Sequence, residues 1–102
     1  MHYILFYEGG EHYTTARAPF RKVHVQHALA AVARGELLLG GAWGDPADGA
    51  ALLFTGDSPK VAEDFARNDP YVINGVVKSW RVREWTTVVG DGAAVKIDLN
   101  AL

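Results

Sequence analysis

The sequence predicts an α+β domain with the element order β-α-β-β-α-β, in which two helices cover one face of a four-stranded antiparallel sheet. Three observations support this expectation. Short segments rich in aromatic and β-branched residues alternate with two amphipathic segments, and clusters of glycine, proline and aspartate separate them. The length of 102 residues suits one domain, because two independent cores would each be too small to be stable.

The first strand and the first helix occupy the N-terminal third of the chain. Residues 2–8 (HYILFYE) predict a strand that ends at two glycines, and the polar residues 11–19 predict a loop. Residues 20–34 predict a helix, which begins after Pro19 and ends at Gly35. The apolar residues of this helix repeat on one face: Val25, Ala28, Leu29 and Val32.

A hairpin is expected after this helix. Residues 36–43 (ELLLGGAW) and 50–55 predict the second and third strands. The intervening residues 44–49 contain a proline and two aspartates, which favour a turn. A connection this short favours antiparallel pairing of the two strands.

The second helix and the last strand complete the pattern. Ser58 is predicted as the N-cap of this helix, with Pro59 at its first position and the Asp69-Pro70 pair at its end. After a turn at Asn74-Gly75, residues 76–88 predict the fourth strand.

This order of elements is that of a ferredoxin-like domain. We expect the domain to span residues 1–88. Residues 89–102 then form a C-terminal extension, either as a short fifth strand or as a tail that contacts a partner subunit.

The predicted strands are apolar on both faces, which bears on assembly. In the first strand, Ile4 and Phe6 point to one face of the sheet, and Tyr3, Leu5 and Tyr7 point to the other. In the second, Leu37, Leu39 and Trp43 lie opposite Leu38 and Ala42. In the third, Leu52 and Phe54 lie opposite Ala51 and Leu53. Two helices cover only one face, and an antiparallel sheet with a wet face would alternate apolar with polar residues. We therefore expect a homodimer that pairs the second sheet faces. The alternative is that residues 90–102 fold back over this face.

Composition excludes several classes of protein. The net charge of −2 and the 22% of charged residues do not favour a nucleic-acid partner. No apolar run approaches the roughly 20 residues of a membrane helix, and the N-terminus lacks the pattern of a signal peptide. The absence of cysteine excludes disulfides, a thiolate nucleophile and cysteine-based zinc sites, and it favours a cytoplasmic location.

Histidine and aspartate supply the candidate chemistry. His24 and His27 lie three residues apart on the first predicted helix, whereas His2 and His12 are expected to be solvated. This HxxH spacing without a third ligand is a weak metal signal, and we expect no metal. Asp69 lies at a helix C-terminus, where the macrodipole disfavours a carboxylate. This electrostatic cost indicates that Asp69 has a functional role, although aspartate before proline is also a good turn former.

An acid–base pair of His24 and Asp69 is sterically feasible, because both helices lie on the same face of the predicted sheet. A serine nucleophile is not expected, since Ser58 is used as a cap and Ser79 lies within a strand. Six aromatic residues are candidates to line a pocket, although such residues more often form a core or a dimer interface: Trp43, Trp80, Trp85, Tyr3, Tyr7 and Tyr71.

Several segments, taken together, resemble the sequence pattern of a known protein family. They are the HYILFYE strand, His24 with Gly35 behind it, LLLGGAW, the Ser-Pro helix start, and Asn68-Asp69-Pro70-Tyr71 followed by Gly75-Val76. Over residues 1–87 the chain thereby resembles the YCII-related (YciI-like) family of the dimeric α+β barrel superfamily. It departs from the family pattern at Gly41-Ala42, where Gly-Pro is usual, and in a longer tail beyond Val89.

The resemblance implies a subunit that dimerises through its sheet and a site at His24 and Asp69. On residue type, Tyr7, Trp43 and Tyr71 are the candidate substrate-binding residues. It also implies an enzyme without a cofactor that eliminates, isomerises or hydrolyses a small organic molecule. His24 would then be the general base or acid, and Asp69 would orient it. The competing hypothesis is a non-catalytic homodimer that binds a small ligand in the same cleft.

Overall fold

The computed structural model describes residues 1–102. Its elements are β1 (His2–Glu8), α1 (Tyr13–Arg17), α2 (Arg21–Ala33), β2 (Leu37–Gly44), β3 (Ala47–Thr55), α3 (Lys60–Asn68), α4 (Pro70–Ile73) and β4 (Ser79–Trp85). The sheet has the order β2-β3-β1-β4, and every neighbouring pair is antiparallel. This arrangement confirms the predicted ferredoxin-like fold. None of its helices is long and apolar enough to cross a bilayer.

Alternate residues of the central strand β1 point towards the helices. Leu5 pairs with Leu52 of β3 on one side and with Val82 of β4 on the other. The largest side chains of the core share this layer: Tyr3, Leu5, Tyr7, Tyr13, Leu52, Phe54, Phe65 and Tyr71. Each buried aliphatic or aromatic side chain of this size contributes roughly 1.5–3 kcal/mol, so this layer holds the helices on the sheet.

The segment predicted as a polar loop is helical. A 3₁₀ turn over Ala18–Phe20 joins α1 directly to α2. Pro19 permits this, because it lies in the first turn of the 3₁₀ segment, where its missing N–H is not needed. Tyr13 is buried and anchors α1 to the core. The loop prediction was therefore wrong for these residues.

Of the apolar stripe predicted on α2, Ala28 alone packs against the core. Ala31 is fully buried, whereas Val25, Leu29 and Val32 are 40%, 60% and 49% exposed. The three exposed side chains, with Ala28, line a cleft between α2 and β2. The helical period predicts the helix correctly, but it does not tell whether an apolar stripe meets a neighbour or an open space.

A β-bulge in β2 alters which side chains share a face. The register shifts between Leu37 and Leu39, so that Leu37 pairs with Phe54 and Leu39 pairs with Leu53. Leu37 is therefore buried under the helices, while Leu39 lies on the other face of the sheet. Strict alternation had placed these two leucines together, and that prediction was wrong because a bulge adds one residue to its strand.

The ends of other predicted elements shift by a few residues. β3 begins at Ala47, within the predicted turn, and β4 is shorter than predicted. The first residue of α3 is Lys60, one position after Pro59. Ser58 still satisfies a donor at this helix start, because its hydroxyl accepts a hydrogen bond from Lys60 N at 3.3 Å.

The second face of the sheet carries no helix, and it is largely apolar over β1, β2 and β3, with Arg81 and Arg83 of β4 at its edge. It forms a shallow groove of about 420 Å³, and its apolar side chains include Ile4, Leu39, Trp43, Leu53 and Trp85. Residues 89–102 form no strand, and none of them lines this groove. The chain instead turns beyond β4, where Val95 N donates to the Thr87 carbonyl. Leu39 is consequently 73% exposed.

Candidate active site

Asp69 lies between two helices and serves both. α3 ends at Asn68, and Pro70 excludes Asp69 from the helical region, so that ψ of Asp69 is 125°. The carboxylate then caps the next helix, because Oδ1 accepts a hydrogen bond from Tyr71 N at 2.9 Å. The macrodipole cost expected at the end of α3 is thereby offset, since the same residue begins α4.

The carboxylate of Asp69 is fully buried and is surrounded by donors. Tyr7 donates its hydroxyl to Oδ2 at 2.7 Å. His24 Nδ1 lies 2.8 Å from Oδ1 and 2.9 Å from Oδ2. A buried carboxylate without partners would be strongly destabilising. These donors therefore permit the charge to lie inside the domain.

His24 connects this carboxylate to the cleft. An ionised carboxylate only accepts hydrogen bonds, so Nδ1 carries the proton and Nε2 remains as the basic nitrogen. The imidazole stacks on the Tyr71 ring, with 3.7 Å between centroids and 5° between planes. The side chain of His24 is 16% exposed and lines the cleft. This arrangement allows Asp69 to fix the tautomer of His24 and to stabilise its imidazolium.

Three buried tyrosines surround the pair. Tyr13 packs edge-on against Tyr71, with 6.1 Å between ring centroids. Burial raises the pKa of Tyr7, and the charge of Asp69 raises it further. Burial also raises the pKa of Tyr13 and of Tyr71, an effect that the guanidinium of Arg21 opposes at Tyr71. The three phenols are thus kept neutral at physiological pH.

The cleft beside His24 has an apolar wall and a cationic end. Its volume is about 290 Å³. We call Val25, Leu29 and Val32 of α2 the apolar wall; they are faced across the cleft by β2 and β3. The cationic end lies at the start of α2 and is formed by Arg17 and Arg21 together with Tyr13, His24 and Tyr71.

Sequence reasoning missed Tyr13, Arg17 and Arg21 as site residues. The three precede His24 at intervals of four, four and three residues, which is the spacing of one helix face. The signal was present, but it was hidden because residues 11–19 were interpreted as a loop. Recognition of helix on both sides of the proline would have placed these side chains beside His24.

The structure brings some predicted site residues together and separates others. His24 and Asp69 are in direct contact, and Tyr71 lines the cleft. Tyr7 is fully buried behind the carboxylate, so it contacts Asp69 and not the cleft. Trp43 lies on the opposite face of the sheet, so one subunit does not place it at this site.

His27 and His2 form contacts within the fold and do not line the cleft. His27 Nε2 lies 2.9 Å from the Phe65 carbonyl oxygen and the two rings stack, which ties α2 to α3. No group of three or more His, Cys, Asp or Glu side chains is arranged to hold a metal ion. His2 is buried rather than solvated, because the chain beyond β4 places Thr87 Oγ1 2.6 Å from its Nδ1.

These features define a class of protein: a ferredoxin-like α+β domain in which a buried aspartate contacts a histidine that lines a small cleft. The chain belongs to the YCII-related domain family, whose sequence model matches residues 1–86. This confirms the resemblance seen in the sequence.

One similar solved structure is 5-chloro-2-hydroxyhydroquinone dehydrochlorinase (TftG) from Burkholderia phenoliruptrix AC1100, in complex with 2,5-dihydroxybenzoquinone. The TM-score is 0.70 at 17% sequence identity, over 85% of this chain and 95% of that chain. At this identity the likeness shows a shared fold. No curated protein sequence matches the chain.

Proposed function

We propose that this protein is an enzyme that uses His24 and Asp69 as an acid–base pair on a small organic molecule. The observation that carries the proposal is the contact of His24 Nδ1 with both oxygens of a buried carboxylate, on a histidine that also lines a cleft. Such a pair supplies a base and its conjugate acid by itself, so the proposed chemistry requires no cofactor.

Elimination is the reaction that the pair serves most simply. His24 Nε2 removes a proton, the bonding electrons form a new double bond, and the leaving group departs with its own electron pair. Asp69 stabilises the imidazolium, which then passes the proton to the leaving group or to water. Isomerisation uses the same two proton transfers without a leaving group. General acid–base catalysis of this kind contributes roughly 10²–10⁴-fold to a rate.

The structural neighbour suggests where to begin the search for a substrate. That enzyme is named for the dehydrochlorination of 5-chloro-2-hydroxyhydroquinone. We propose that this chain likewise acts on small oxygenated ring compounds, in which a ring hydroxyl or an adjacent C–H bond supplies the proton. The cleft volume of about 290 Å³ agrees with a ligand of this size.

The test is a panel of small hydroxylated ring compounds that begins with 5-chloro-2-hydroxyhydroquinone, with chloride release and absorbance changes as the readouts. We expect His24→Ala to lower turnover roughly 10²–10⁴-fold while the domain remains folded at room temperature, with a loss of about 1.5–3 kcal/mol in stability because Asp69 loses one donor. His12→Ala is the matched control, because His12 is exposed and does not line the cleft. Turnover that survives in His24→Ala would contradict the proposal.

A non-catalytic binding function is the second candidate. The observation in its favour is that stacking on Tyr71 covers one face of the His24 ring, so that 16% of the side chain stays exposed. A ligand that raises the unfolding temperature of the wild type, but is recovered unchanged after long incubation, would favour binding without reaction.

We further propose that the protein is a homodimer joined through the apolar groove on the second sheet face. Exposed apolar surface of this kind is unusual in a monomer, and a copy of the same sheet is the simplest cover. Leu39→Asp should yield a monomer in sedimentation velocity, because it places a charge among the apolar side chains that line the groove. Ile73→Asp, at an exposed position of α4, should leave the dimer intact. A wild type that stays monomeric at high concentration would overturn this proposal.

A further inference from the structure

The cationic end of the cleft has no acidic side chain facing it. Arg17 and Arg21 form no salt bridge, whereas Arg34 pairs with a glutamate at 2.8 Å. The 15 residues that line the cleft include no aspartate or glutamate. Asp69 lies behind His24, and protein donors occupy both of its oxygens. The positive charge of this end is therefore not neutralised by a carboxylate within the cleft.

The hydroxyl of Tyr71 is the second observation. It is a buried side-chain polar atom without a hydrogen-bond partner. Tyr71 is 1% exposed and lines the cleft, and its ring is held between His24 and Tyr13. Burial raises the pKa of this hydroxyl despite the nearby Arg21, so it remains a donor at neutral pH. A buried donor without a partner is uncommon in native proteins, and it indicates that another group binds there.

The apolar wall restricts the nature of that group. Its three side chains are 40–60% exposed, and covering them would remove apolar surface from water. A free inorganic anion would meet the cationic end but would leave this wall uncovered. A neutral apolar ligand would cover the wall but would leave the two guanidinium groups and the phenol without an acceptor.

We infer that this cleft binds a small organic anion. Its acidic oxygen accepts hydrogen bonds from Arg17, Arg21 and the Tyr71 hydroxyl, and its apolar body lies along the apolar wall. A carboxylate has the required geometry, because guanidinium groups bind its two oxygens through two parallel donors, and an ionised enol presents one charged oxygen to the same donors. The inference rests on the proposed function, since it names the substrate class for the same site.

The test compares benzoate with benzamide, which has nearly the same shape but no charge. Isothermal titration calorimetry at low salt should show that the wild type binds benzoate at least about tenfold more tightly. The double variant Arg17→Gln/Arg21→Gln should lose this preference. Arg34→Gln is the matched control, because Arg34 pairs with Glu36 at the surface and does not line the cleft. Equal binding of the two probes by the wild type would overturn the inference.

Tyr71→Phe separates ligand binding from a structural role. The hydroxyl has no partner at good hydrogen-bond geometry, although the Arg21 guanidinium lies nearby, so its removal should lower the unfolding temperature only slightly. The affinity for benzoate should fall about tenfold, because one donor to the anion is lost. A markedly lower unfolding temperature with unchanged affinity for benzoate would show that the hydroxyl is structural, which would contradict the inference.

His24→Ala distinguishes this inference from the proposed function. The preference for benzoate should persist in His24→Ala, since the guanidinium groups carry it, while turnover should be lost. A wild type that prefers benzoate but converts no organic anion would remove the catalytic proposal and leave the anion site standing. A wild type that converts neutral compounds and shows no preference for benzoate would remove the anion site alone.

Discussion

The hydroxyl of Tyr7 on β1 donates a hydrogen bond to Oδ2 of Asp69 at 2.7 Å. His24 contacts the same carboxylate from α2. The two donors come from elements far apart in sequence, and both converge on a residue at the junction of α3 and α4. Asp69 thereby links the central strand to the helical layer. The contact that orients the candidate base is also part of the core.

Tyr7→Phe should lower the stability of the domain without altering the shape of the cleft. A hydrogen bond to a charged acceptor contributes about 1.5–3 kcal/mol, so a loss of this size is expected in urea unfolding. Tyr3→Phe is the matched control, because Tyr3 lies on the same strand and face and its hydroxyl forms no hydrogen bond within the subunit. Equal losses in the two variants would show that the contact with Asp69 contributes nothing.

Stability should fall steeply at alkaline pH, in part through Tyr7. Burial raises the pKa of Tyr7 above its ordinary value of 10.0. Below pH 10 the phenol is protonated in both states, so its contribution is fully present. Above pH 10 the unfolded chain loses this proton while the folded protein keeps it. The free energy of unfolding therefore falls by up to about 1.4 kcal/mol per pH unit until pH passes the pKa of the folded state.

The measurement is urea unfolding of the wild type and of Tyr7→Phe at several pH values between 9 and 11. The slope of stability against pH should be shallower in Tyr7→Phe, whatever the difference in stability at neutral pH. Parallel slopes in the two proteins would show that Tyr7 titrates alike in both states.

Asp69→Asn should alter the tautomer of His24 while the fold stays intact. An amide can donate as well as accept, so it no longer requires the proton to lie on Nδ1. Nitrogen NMR of the imidazole should then show more of the form that is protonated at Nε2, and turnover of any substrate should fall roughly 10²–10⁴-fold. Asp64→Asn, at an exposed salt bridge on α3, should change neither property. An unchanged tautomer in Asp69→Asn would contradict the orienting role.

Gly9→Ala should disturb the site from outside the cleft. An added Cβ would overlap the ring of Tyr13, which is buried and packs against Tyr71. Overpacking of this kind costs typically 1–3 kcal/mol, and displacement of Tyr13 should also weaken ligand binding. Gly40→Ala is the control for stability alone, because its Cβ would meet only Leu52 at ordinary contact distance but lies at the cleft. Equal stability of the two variants would show that Tyr13 is free to move.

The sequence predicts the architecture well because its signals are local. Strand and helix periods, the Ser58-Pro59 start and the Asp69-Pro70 stop each depend on a few adjacent residues. The bulge in β2 has no such signal, since ELLLGGAW alternates equally well with or without an extra residue. Sequence alone therefore gave the right strand with one leucine on the wrong face.

The site was predicted only in part. The family resemblance implies a site at His24 and Asp69, and two helices on one sheet face make their contact sterically feasible. The apolar wall did not follow, because amphipathicity indicates that apolar residues share a face and not that this face meets the core. Trp43 was grouped with the site on residue type alone, whereas strand register places it on the second sheet face.

The helix break at Asp69-Pro70 affects how the ligand specificity of this site can change. The orienting carboxylate is aimed by its own backbone neighbours, whereas the two arginines and the apolar wall of the cleft come from a separate stretch of chain, residues 17–32. Substitutions in that stretch can change which molecule is accepted and leave the His–Asp geometry undisturbed. Replacement of Pro70 would act in the opposite way, by letting the turn adopt other dihedrals and swinging the carboxylate away from His24 whatever molecule was bound.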